Sequence, residues 1–118
     1  MSQYIDGFVL TIKRDNLAAY KKVATAAGKV WREHGALEYR ECALEDAGAE
    51  GMIPFPKLTK AKEDEVVIFA YAAFKSRKHR DAANKAIMAD PRIAKICSPG
   101  IVDCKRMAYG GFNSIVSL

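Results

Sequence analysis

From Tyr4 to Lys13 the chain alternates with a period of two: Tyr4, Phe8, Leu10 and Ile12 fall on one side, Ile5, Val9 and Thr11 on the other. This predicts a β-strand with apolar groups on both faces. Asp15 or Asn16 then offers an N-cap. Helical spacing follows through Leu17, Tyr20, Ala24, Ala27, Val30 and Trp31, with Lys21, Lys22, Thr25, Lys29, Arg32 and Glu33 on the opposite face. Gly35, after His34, is a natural stop for this helix. A second strand is expected from Leu37 to about Leu44. It carries Glu38, Arg40 and Glu41, with Glu45 just beyond, as suits a sheet edge that must not pair with other molecules. From Asp46 to Asp64 no period emerges, and Gly48, Gly51, Pro54 and Pro56 interrupt what there is. Glu65 to Phe74 predicts the most apolar strand, with Val67, Phe69, Tyr71 and Ala73 alternating with Val66, Ile68, Ala70, Ala72 and Phe74. Ser76 caps a second helix to about Ala89, which Asp90-Pro91 ends, and a short helical turn runs from Arg92 to Cys97. A last strand is expected from Lys105 to about Val116, with Gly110-Gly111 as a bulge or a close backbone approach.

The order β-α-β-β-α-β is that of a ferredoxin-like α+β fold, a four-stranded antiparallel sheet with two helices on one face. The first and third strands, apolar on both faces, belong in the centre, and the charged second strand at an edge. Two helices cover only one face. The other would expose an apolar patch of several hundred Å², which at about 25 cal/mol per Å² favours a partner. A second copy placed sheet to sheet, a homodimer forming a dimeric α/β barrel, is the simplest cover.

Composition narrows the picture further. The 118 residues are 50% hydrophobic and 28% charged, which suits one globular domain over residues 1–118 and excludes intrinsic disorder. No apolar run reaches the length of a membrane span, so no membrane association is expected, and the start of the chain lacks a signal-peptide layout. Three cysteines, an odd number, fit a reducing compartment, and the cytoplasm is the expected location. Cys42, Cys97 and Cys104 match no zinc spacing, so no metal is expected. Phosphate loops, dinucleotide fingerprints and hydrolase motifs are absent, and no standard cofactor is indicated.

Long blocks of the chain are similar to one known group. They include Tyr4-Ile5-Asp6-Gly7-Phe8-Val9-Leu10, Trp31-Arg32-Glu33-His34-Gly35-Ala36-Leu37-Glu38-Tyr39 and Lys105-Arg106-Met107-Ala108-Tyr109-Gly110-Gly111-Phe112. Ser76-Arg77-Lys78-His79-Arg80-Asp81 and Met88-Ala89-Asp90-Pro91-Arg92 belong with them. Together they resemble the YbaA-like family of small bacterial proteins of unknown function. The resemblance covers nearly the whole chain, departing from it at Ala47 to Pro54 and at Cys97 to Cys104. It implies a dimeric α/β barrel, the architecture of antibiotic-biosynthesis monooxygenases, haem-degrading enzymes and stress-responsive barrel proteins. It implies no catalytic residue.

The candidate chemistry is sparse. His34 borders the buried helix face at its last turn, where it would either act as an acid or base or cap carbonyls at the helix C-terminus. His79 shares a face with Ala83, Ala86 and Ile87, which turns it toward the sheet near Tyr71 or Tyr109, either as a functional group or as a hydrogen-bonded seam residue. The expected ligand site lies between sheet and helices, lined by Trp31, Tyr71, His79 and Tyr109, with His79, Tyr71, Tyr109 and His34 as catalytic candidates. Ser76, Arg77, Lys78 and Arg80, with Lys75, surround a helix N-terminus and would hold an anion or form a solvated basic face. The net charge of +5 and this patch are the only support for nucleic acid, and the interleaved aromatics of RNA modules are missing. Met52, Ile53 and Phe55 between prolines would clasp a partner subunit or cover a pocket, the clasp being the better fit. The readings are therefore a dimeric small-molecule binder, extending to a cofactor-independent oxygenase or isomerase, and a non-catalytic interaction module.

Overall fold

A computed structural model describes residues 3–96 and 100–118, and Cys97 lies outside them. Strand β1 (Tyr4–Lys13) leads through a short 3-10 turn (Arg14–Asn16) into helix α1 (Leu17–Glu33). Neither Asp15 nor Asn16 caps α1 with its side chain; instead the Leu17 N–H donates to the Arg14 carbonyl. Gly35 takes the left-handed conformation, φ +113°, that turns the chain into β2 (Glu38–Ala43). A five-residue helix α2 (Phe55–Thr59) lies within the segment expected to be irregular. Then come β3 (Glu65–Phe74), α3 (Arg77–Ala89), α4 (Pro91–Ile96), a 3-10 turn (Cys104–Arg106) and β4 (Ala108–Asn113).

The sheet is antiparallel with order β2-β3-β1-β4, the ferredoxin-like arrangement, and the two strands apolar on both faces are central. One face holds Phe8, Leu10, Ile12, Val66, Ile68, Ala72 and Phe74, which pack with Tyr20, Ala24, Val30, Ala83, Ile87 and Ile93 of the helices into two clusters. By register the opposite face carries Ile5, Val9, Phe69, Tyr71 and Phe112. This second face is not wholly bare. Helix α2 packs over β1 and β3, burying Val67 and Thr11 and setting Phe55 against Phe69 at 6.5 Å between ring centroids. Beyond it Phe69 and Phe112 remain 47% and 60% exposed.

Strand β4 is shorter than the expected Lys105–Val116. Asp103 caps a turn by accepting from the Lys105 N–H, which delays the strand, and past Asn113 the residues Ile115 and Val116 are exposed. Gly110 and Gly111 pair in unbroken register with Gly7 and Asp6, so there is no bulge. The close approach is made by side chains: a Cβ on Gly111 would lie 2.6 Å from the Tyr4 hydroxyl and 2.9 Å from Arg80. Among the described residues no helix is long and apolar enough to cross a membrane.

Candidate functional site

The helix-covered face contains a partly enclosed cavity of about 170 Å³. Its floor is Phe8, Leu10 and Ala70 of the sheet, its roof Tyr20, Ala24, Ala27 and Trp31 of α1. The segment before β4 closes one side with Ile101, Val102, Cys104 and Met107. Arg106 pins that segment to the sheet by a two-pronged ion pair with Glu65, at 2.7 and 2.9 Å, and by a bond to the Lys60 carbonyl at 3.1 Å. The pair, with the Lys62 N–H bonded to the same carboxylate, pulls the Glu65 pKa down to about 2.

Tyr39 and Glu41 of β2 form the remaining wall. Both sit at the register positions of Ala72 and Ala70, so the pleat turns them toward α1. Room for the Tyr39 ring comes from Gly28 in the middle of α1, where a Cβ would meet that ring at 2.7 Å. A glycine inside a helix costs about 1 kcal/mol relative to alanine, a cost that this approach explains. The Tyr20 and Tyr39 hydroxyls donate to the two oxygens of Glu41, one to each. Among the described residues no Lys, Arg or His forms an ion pair with Glu41. Trp31 packs against Tyr39 at 5.9 Å, and its Nε1 is buried with no hydrogen-bond partner. Outside this wall a groove of about 720 Å³ between α1 and β2 is bordered by Tyr20, Tyr39, Glu41 and Cys42, with Lys21, Lys29 and Arg32 along the helix. The Tyr20–Glu41–Tyr39 triad separates groove from cavity.

A second polar cluster lies on the same face. Asp6, 1% exposed, accepts from Arg80 at 2.6 Å, from the Tyr109 hydroxyl at 3.1 Å and from the Asn84 amide at 3.2 Å. Arg80 also lies 4.8 Å over the Tyr4 ring and donates to Tyr109 at 2.8 Å. Burial, and next the Asp6 charge, raise the Tyr109 pKa. This cluster ties β1, α3 and β4 together.

Of the residues expected to line the ligand site, Trp31 alone lines the cavity. Tyr109 joins the Asp6 cluster and reaches the cavity only through Phe8, 5.0 Å away. Tyr71 is on the other face of the sheet, opposite Gly7, where its hydroxyl donates to Glu38 at 2.6 Å. His79 turns toward the sheet but meets neither Tyr71 nor Tyr109. Its Nδ1 accepts from the Lys75 N–H at 3.0 Å, its ring stands edge-on to Phe74, and its Nε2 fills the space beside Gly35. It is a seam residue. His34 pairs with Asp90 at 2.9 Å, and Arg92 bridges Asp90 and Glu33, holding both carboxyls below their usual range. The four anion candidates also part. The Ser76 hydroxyl accepts from the His79 N–H as an N-cap, Arg80 turns inward, and Arg77 and Lys78 stay exposed. Cys42 and Cys104 are free and exposed, and among the described residues no group of three or more His, Cys, Asp or Glu could hold a metal.

Sequence reasoning missed Asp6, Tyr20, Tyr39 and Glu41. Asp6 interrupts the apolar parity of Phe8, Leu10 and Ile12, a signal available in the sequence. Glu41 carried none, because edge strands hold charges for other reasons.

Comparison with known proteins places this geometry in context. The chain is 39% identical over 114 residues to the uncharacterized protein YbaA of Escherichia coli K12, covering 97% of each. In fold it is similar to a dimeric ferredoxin-like protein from an uncultured marine organism, with a TM-score of 0.59, 9% identity and all of both chains covered. It is also similar to a NIPSNAP-family protein of unknown function from Agrobacterium tumefaciens, with a TM-score of 0.56, 18% identity and 94% and 86% of the chains covered. A family model matches residues 3–103, and the chain belongs to that family, the proteins of unknown function designated DUF1428.

Proposed function

We propose that this protein is a homodimer that binds a single-ring organic molecule between α1 and the sheet. The observation that carries the reading is the cavity itself. Its volume of about 170 Å³ compares with the roughly 150 Å³ that suffices for benzene. Its lining is apolar and aromatic apart from the Glu41 carboxylate, the Tyr20 and Tyr39 hydroxyls bonded to it and the Cys104 thiol. Few polar groups in an apolar cleft are the usual make-up of a small-molecule site.

Dimerisation through the uncovered face accounts for Phe69 and Phe112, whose exposure would otherwise cost each subunit its apolar burial. Phe112 lies across Gly7, 3.1 Å from where a Cβ would stand, which flattens the surface offered to a second copy. Met52, Ile53 and Leu58, 75%, 70% and 66% exposed around α2, extend that surface and suit a clasp better than a lid, since α2 is on the face away from the cavity. The marine structural neighbour is itself described as dimeric.

Native mass spectrometry of gently purified, untagged protein tests both parts. The expected spectrum is a dimer carrying a small added mass, which Ala70→Leu, filling the cavity floor, abolishes. A monomer would overturn the dimer, and an added mass that survives Ala70→Leu would overturn the site.

A further inference from the structure

We infer that the molecule held in the cavity is a cation, a single ring bearing a primary ammonium group that pairs with Glu41; this names the ligand class of the site proposed above and rests on that reading. Among the described residues Glu41 is the one charged side chain lining the cavity. A carboxylate in an apolar wall is ordinarily neutralised by a cation, as Asp6 is by Arg80 on the same face of the same sheet. Glu41 has two phenols instead, Tyr20 on Oε1 and Tyr39 on Oε2. A phenol donates one hydrogen and carries no charge, so the two tyrosines fix the carboxylate in place without neutralising it. Each oxygen keeps a lone pair for a further donor. Lys21, Lys29 and Arg32 border the groove on the outer side of the triad, and none of them forms an ion pair with Glu41.

The rest of the lining selects the same ligand. An ammonium that leaves water loses its hydration, and a counter-charge with free acceptors is what offsets that loss. Glu41 supplies both. Phe8, Tyr20, Trp31 and Tyr39 surround the space with aromatic rings, the apolar surface that best accommodates an ammonium. A carboxylate or phosphate ligand would meet the like charge of Glu41 with no Lys, Arg or His in the lining to hold it. A neutral ring would fill the volume and leave that charge without a partner. The ligand is therefore an arylalkylamine, its ring on the floor of Phe8, Leu10 and Ala70 and its ammonium at the Glu41 wall.

Benzylamine, which is charged at neutral pH, benzyl alcohol and benzoate are the probes: one ring each, carrying a cation, a neutral group and an anion. Each is titrated into the whole protein and followed by the indole resonance of Trp31, the sole tryptophan. Wild type should bind benzylammonium about 10-fold or more tightly than benzyl alcohol, and benzoate more weakly than either. The net charge of +5 disfavours cations in general, so this order reports a local carboxylate. In Glu41→Gln, which keeps the side-chain shape, benzyl alcohol should bind as in wild type while benzylammonium loses its advantage. Should that variant not fold, the order of the three probes in wild type still decides. Benzylammonium binding no tighter than benzyl alcohol, or an advantage that survives Glu41→Gln, would overturn the inference and leave the binding site standing. No indole shift with any of the three would overturn both.

Discussion

Asp6 and Glu41 are two carboxylates turned to the same face of the same sheet, and their surroundings differ in every respect that matters. Asp6 sits on a central strand, fully buried, with Arg80, Asn84 and Tyr109 filling its hydrogen-bonding capacity from α3 and β4. Glu41 sits on an edge strand, half-buried, held by two tyrosines and bordering open space on both sides. One is a staple: its charge is neutralised and its partners join three elements. The other has its position fixed and its charge left uncompensated beside a cavity. Burial alone would rank Asp6 first. What distinguishes a group available for chemistry is the identity of its partners and the space in front of it.

The widest separation between the two should appear in stability. Asp6→Asn removes the buried counter-charge of the Arg80 guanidinium and leaves it only the exposed Asp81 carboxylate, 2.9 Å from Nε, and the expected loss is about 3 kcal/mol in urea denaturation. Glu41→Gln keeps one accepting oxygen and turns the other into an NH2 donor, so one tyrosine hydroxyl must turn to accept, and it should cost about 1 kcal/mol. Equal losses would erase the distinction between staple and site.

The uncovered face supplies the next test. Phe112→Asp places a charge on that surface, and with each copy losing at least about 2 kcal/mol of contact, sedimentation should show monomer. The cavity is on the other side of the sheet, so the Trp31 indole resonance of that monomer should still shift with benzene, a probe that matches the cavity in size. Loss of the shift would tie the two faces together.

Gly28→Ala sharpens the comparison at the level of packing. An alanine in mid-helix ordinarily stabilises by about 1 kcal/mol. Here the added methyl meets the Tyr39 ring at 2.7 Å, so the sign should reverse, to about 1–3 kcal/mol of destabilisation, with weakened probe binding. A stabilised protein would mean that Tyr39 is free to move and that Glu41 is less firmly placed than the geometry indicates.

The smallest effect concerns the segment that closes the cavity. Glu65 ordinarily titrates near 4.5 and in the fold near about 2, so its pairing with Arg106 stabilises the folded state above about pH 4.5. That contribution fades as the pH falls from 4.5 toward about 2. Arg106→Met should remove this part of the acid dependence and raise the reactivity of Cys104, the first residue of the turn, toward thiol reagents at neutral pH.

Much of the fold was legible. The limits of β1 and β3 match the alternation residue for residue, because apolar groups on both faces bracket a central strand sharply. Strand β4 was read too long because Ile115 and Val116 continue the apolar pattern beyond the point where a partner strand exists. Helix α2 escaped because five residues span little more than one turn and show no period. The site was less legible for a related reason. With both faces of β3 apolar, the alternation separates Tyr71 from Ala70 and Ala72 but does not say which set meets the helices. Tyr71 was therefore assigned to the wrong layer, and His79 to neighbours it does not touch. Gly28 was the clue to Tyr39, visible only once β2 and α1 are seen side by side.

The most direct test of the account is the Trp31 indole signal recorded as benzene, which matches the cavity in size, is added to the wild-type protein and to Ala70→Leu. The expected result is one resonance that moves and saturates in wild type, as a ring enters the cavity that Trp31 lines, and stays fixed when leucine fills the cavity floor. A signal that does not move in wild type, or moves equally in both proteins, would contradict it.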